Sequence, residues 1–146
     1  LAKHESGHAL TDDDWATVRG NVELLDGINF MPILLPVIMK NRDTLQLTAE
    51  QVEHFRDWRK NNYVDMVNLM NGIVEQRLAF KKAALNQHTP SDELLVMQKQ
   101  VLSMQEELLR LKLSCRDVLM DSITEEQWEN FVFIVSDDPK LAGFIQ

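Results

Sequence analysis

From Ser91 to Asp121 the apolar residues Leu94, Met97, Val101, Met104, Leu108, Leu111, Cys115 and Val118 recur at alternating spacings of three and four. This is an a/d heptad pattern, the period at which two packed helices keep one seam in contact. Leu95, Leu102 and Leu109 recur every seven residues beside the seam and widen the apolar stripe. A helix of this length spans about 45 Å at ~1.5 Å per residue, and its stripe needs a partner. The segment from Thr48 to Asn86 supplies one, with Val52, Phe55, Met66, Leu69, Ile73 and Phe80 at seam spacing. Arg59, Asn62 and Gln76 interrupt that second seam, and Gly72 weakens the middle of its helix. Asn86-Gln87-His88-Thr89-Pro90 is the turn between the two.

The flanking segments read as short helices. Thr11 followed by Asp12, Asp13 and Asp14 is a hydroxyl N-cap with acids in the first turn, where the helix dipole favours them. That helix runs through Trp15, Val18, Val22 and Leu25 to near Gly27. Pro32 and Pro36 divide the run from Ile28 to Met39 into a turn and a short helix, with Pro36 in the helix's first turn. Trp128, Phe131, Val132 and Val135 give the last helix an apolar face, closed by Ser136-Asp137-Asp138-Pro139. Few Gly and Pro and no strand-like alternation complete the expectation of an all-α protein. The expected architecture is a long antiparallel hairpin over 48–121 with short flanking helices. It forms a single helical domain over 11–146, behind a mobile polar leader at 1–10.

Two helix starts share one signature. Thr48-Ala49-Glu50-Gln51 is a capping box, in which the Thr hydroxyl accepts from the Gln amide N–H and the Gln side chain reaches back to the Thr N–H. Thr124-Glu125-Glu126-Gln127 is a second. Leu47 and Ile123 precede them in the position of a hydrophobic staple. The pairing and order of these motifs around a long hairpin resemble the LTxxQ-motif periplasmic family of Spy/CpxP-like chaperones and related metal-resistance proteins. The resemblance covers roughly Ile33 to Ser136. It implies a hooked, cradle-like domain of four to five helices, homodimeric and periplasmic. It also implies an ATP-independent chaperone or envelope-stress adaptor that holds unfolded chains or the periplasmic domain of a membrane sensor. The second motif has Ile where the family usually has Leu. The positions where the metal-sensing branch has its ligands are Ile38, Arg42, Cys115 and Leu119, so that metal site is not carried over.

The formal net charge is −8, with no basic cluster, so neither nucleic acid nor an anionic membrane surface is an expected partner. The run from Ile28 to Met39 is too short to span a bilayer, which takes ~20 residues, so no membrane insertion is expected. His4 and His8 have the i, i+4 spacing that places two imidazoles on one helix face, suited to Zn, Ni or Cu. They support the alternative function, a periplasmic metal-binding sensor or resistance protein. Met66, Met70, Met97 and Met104 lie at or beside seam positions, as core or, with Leu102, as a client- or dimer-contacting surface. Cys115 reads either as a buried small hydrophobe or as a link between subunits. No phosphate-binding Gly loop, nucleophile–His pair or HExxH motif occurs, so enzymatic activity is not expected.

Overall fold

The computed structural model describes residues 9–26, 31–139 and 141. Among them the chain is all-helical: α1 (Asp12–Asp26), α2 (Leu35–Lys40), α3 (Ala49–Ala84), α4 (Ser91–Ser122) and α5 (Glu125–Asp137). The long α3 and α4 pack against each other as the expected hairpin. Histidine 4 and histidine 8 of the leader lie outside the described residues.

Each helix starts on the chemistry its sequence offers. At α1 the Asp14 N–H donates to Thr11 Oγ1 at 3.1 Å and the Thr11 N–H donates to Asp14 Oδ2 at 2.9 Å, a capping box closed by a carboxylate. In α2, Pro36 sits in the first turn, where its missing N–H removes no helical bond. The last carbonyls of α2 accept from side chains as well as from the following backbone. Asn41 Nδ2 donates to Val37 O at 2.8 Å and Arg42 Nη1 to Met39 O at 2.9 Å. In the tight turn between α3 and α4, the Asn86 carboxamide oxygen accepts from the His88 N–H at 2.9 Å.

The turn before α3 carries a backbone conformation that no periodicity signals. The Leu47 N–H donates to Arg42 O at 2.9 Å and the Gln46 N–H to Asp43 O at 3.1 Å, the paired bonds of a Schellman motif. Gln46 occupies its left-handed position, with φ 57°. Glycine or asparagine is usual there, because a Cβ crowds the following carbonyl.

The chain divides into two compact units. The first combines α1 with Lys60–Leu111. Val18, Leu25, Val64, Met66, Val67, Met70, Ile73, Val101 and Leu108 are its buried apolar side chains. Trp15 stacks on Tyr63 at 6.3 Å between ring centroids. Within this core Asn21 Nδ2 donates to Asn71 Oδ1, and both residues are buried. A methyl group added at Gly72 would come within 2.5 Å of Met104 Cε, so the glycine makes room for that thioether.

The second unit combines Met31–Arg59 with the chain from Lys112 onward. Its core joins Leu35 and Ile38 of α2, Leu45, Phe55 of α3, Cys115 and Leu119 of α4, and Phe131 and Val135 of α5. Trp128 meets Phe131 edge to face at 5.4 Å on the rim of that core. Lys112 is buried as well, and its ammonium donates to the Met31 carbonyl at 2.8 Å.

Candidate functional site

The two capping boxes form as their sequences imply. The Thr48 N–H donates to Gln51 Oε1 at 2.8 Å and the Gln51 N–H to Thr48 Oγ1 at 3.1 Å. The Thr124 N–H donates to Gln127 Oε1 at 3.0 Å and the Gln127 N–H to Thr124 Oγ1 at 3.1 Å. Each glutamine oxygen thereby closes its own helix start, and each Nε2 remains to be used.

Both Nε2 groups are spent on the opposite motif. Gln51 Nε2 donates to Gln127 Oε1 at 2.8 Å and to Ser122 O at 2.8 Å. Gln127 Nε2 donates to Gln51 Oε1 at 3.1 Å and to Gln46 O at 3.2 Å. Ser122 stands two residues before Thr124, and Gln46 two residues before Thr48. The motifs therefore meet as equivalent halves, and the same six-residue stretch plays the same part on each side. A glutamine is required at these positions because each uses an acceptor for its cap and a two-proton donor for the crossing bonds. The staple residues Leu47 and Ile123 both pack against the core of this unit.

Shallow grooves flank the glutamine pair. One of about 360 Å³ lies between the turn carrying Thr44 and Gln46 and the first turns of α5, at Glu126 and Asn130. Another of about 700 Å³ lies along the start of α3, at Glu50, Glu53, His54 and Asp57. Among the described residues no group of three or more His, Cys, Asp or Glu side chains is arranged to hold a metal ion. Among them, too, no helix is long and apolar enough to cross a membrane.

The methionines divide. Met66 and Met70 are buried in the core of the first unit, which corrects their assignment to an accessible surface: the seam of α3 turns both inward. Met97 and Met104 are half-buried. Leu102 stands out from the seam at 52% exposure, and Leu95 at 60% and Leu109 at 37% continue its row. By contrast Val101 and Leu108, one position earlier in each heptad, are buried. The stripe on α4 is thus wider than the hairpin covers.

Cys115 lies in the core of the second unit. Burial pushes its thiol up from 9.0 to about 11, against a smaller opposing effect of a backbone hydrogen bond with Leu35. A thiol held neutral at physiological pH is a poor nucleophile and a poor metal ligand. Its surroundings are those of a small hydrophobic residue.

Neither heptad spacing nor any local motif signals the glutamine pair, the Asn21–Asn71 bond or the burial of Lys112. The repetition of the capping motif was the one available signal for the first of them. Comparison of the chain with family models, curated proteins and solved structures finds no match.

Proposed function

We propose that the protein is a periplasmic, ATP-independent chaperone or envelope-stress adaptor that works as a homodimer. In this reading the exposed row Leu95, Leu102 and Leu109 on α4 meets apolar segments of unfolded chains or of a sensor's periplasmic domain. One observation carries the reading: three leucines seven residues apart stay exposed beside a filled hairpin seam. Exposed large apolar side chains repeated along one helix face mark a candidate interaction surface. The interlocked capping motifs support it from another side. They tie the start of α3 to the start of α5 through reciprocal side-chain bonds.

The test is suppression of aggregation of a chemically denatured client, without ATP, alongside sedimentation at micromolar concentration. The wild-type chain is expected to delay aggregation and to sediment as a dimer. Leu102→Glu, which places a charge on the row, is expected to lose one or both properties with its melting temperature retained. A monomer that leaves client aggregation unchanged would overturn the proposal.

A further inference from the structure

Helix α5 presents a face that neither the core nor the leucine row uses. Phe131 and Val135 fill the core of the second unit, yet Phe133 is 69% exposed and Val132 48% exposed. Along the row through Phe133, Glu126 lies two turns before it, Glu129 and Asn130 one turn before, and Asp137 one turn after, all exposed. α5 carries the acids Glu125, Glu126, Glu129 and Asp137 and no basic residue.

The two ends of this acidic row have different origins. Glu125 and Glu126 sit in the first turn, where the positive end of the helix dipole favours them. Asp137 sits in the last turn, where the dipole opposes a carboxylate and where α5 has no basic residue. Helix stability therefore accounts for the acids at the start and not for the one beside Phe133. Glu126 and Asn130, on the same row as Phe133, also line the groove beside the turn that carries Thr44 and Gln46. Glu126 and Phe133 are about 10 Å apart along the axis at ~1.5 Å per residue.

We infer that this face of α5 docks a cationic amphipathic segment of another protein. An apolar side chain of the partner rests on Phe133 and Val132. Its Lys or Arg residues face Glu126 and Glu129 on one side and Asp137 on the other. A cation near Asp137 also meets the negative end of the helix, and one over the Phe133 ring gains from the ring's electron-rich face. The acidic row excludes acidic partners by the same electrostatics. This assignment stands on α5 alone and does not depend on the leucine row of α4.

The experiment is a fluorescence anisotropy titration of the full chain with two labelled synthetic peptides of equal length and identical leucine spacing. One carries Lys at its polar positions and the other Glu. The Lys peptide is expected to bind and the Glu peptide to fail. Binding is expected to weaken from 0.1 M to 1 M salt, as the screening length falls from ~10 Å to ~3 Å. Phe133→Ala is expected to weaken the Lys peptide by about ten-fold or more, the loss typical of an aromatic anchor. The triple change Glu126→Gln, Glu129→Gln and Asp137→Asn is expected to weaken it and flatten the salt dependence. Phe133→Ala is expected to leave suppression of client aggregation unchanged, which separates this face from the chaperone reading. Equal binding of both peptides, no binding of either, or a Lys peptide indifferent to Phe133→Ala would overturn the inference. So would a sedimentation shift caused by Phe133→Ala without peptide binding, which would make the face a contact between copies of this chain.

Discussion

Gln51 and Gln127, 76 residues apart, donate to one another's side-chain oxygens while each closes its own helix start. Replacing one leaves the other's Nε2 with one of its two protons unmet in a partly buried setting and deprives a backbone carbonyl of its donor. Gln51→Ala and Gln127→Ala are each expected to cost about 1–3 kcal/mol. Because the two share one network, the double variant should cost less than the sum, with a coupling of about 0.5–3 kcal/mol. Urea denaturation of the four proteins measures the cycle, and strict additivity would show that the crossing bonds contribute nothing.

The hydroxyls of the same motifs act locally. Thr48→Ala and Thr124→Ala should each destabilise by about 0.5–2 kcal/mol, the usual loss for such an N-cap. Hydrogen exchange should quicken at the first turn of α3 in the one and of α5 in the other. Unchanged protection there would contradict the role assigned to the hydroxyls.

Cys115 gives a pH dependence with a definite sign. Its thiol is raised from 9.0 to about 11 in the folded chain, so the unfolded chain loses this proton first as pH rises. Its contribution to stability is full below about pH 9 and is lost as pH climbs toward 11. Cys115→Ser or Cys115→Ala should remove that part of the decline in a comparison of unfolding free energies between pH 8 and 11. At neutral pH a thiol reagent should modify the native chain slowly and the urea-unfolded chain quickly.

Asn21 and Asn71 offer a cleaner contrast. Asn71→Leu alone leaves the Asn21 amide buried without this partner and should cost about 1–3 kcal/mol, whereas Asn21→Leu with Asn71→Leu should recover much of it. Thermal unfolding of the two variants distinguishes the outcomes. A double variant as unstable as the single would show that packing rather than the unmet amide sets the cost.

What could be read from the chain was what repeats or acts within one turn. The heptad of α4 announced a hairpin because side-chain period follows directly from helix geometry. Thr48–Gln51 and Thr124–Gln127 announced helix starts because every bond in a capping box lies within three residues. The crossing bonds of Gln51 and Gln127 were hidden because a capping glutamine satisfies its own helix whether or not a second one stands opposite. Gln46 was hidden for another reason: its left-handed backbone goes against residue preference and is imposed by the bonds of Leu47 and Gln46 to the preceding turn. Lys112 would be placed at the surface by its charge, whereas it is buried and its ammonium donates to the Met31 carbonyl. Heptad position alone did not separate the buried Met66 and Met70 from the half-buried Met97 and Met104.

The glutamine pair also bears on the order in which the chain folds. The pairing of Lys60–Leu111 around its tight turn joins residues close along the chain and needs no distant segment. The core around Phe55 and Phe131 joins residues from opposite ends of the hairpin and must await the synthesis of α5. Contacts of long sequence separation form late, since loop closure opposes them until both partners are present. On the ribosome, then, α3 emerges with Gln51 already able to close its own first turn, and it holds one half of the junction ready until Gln127 follows.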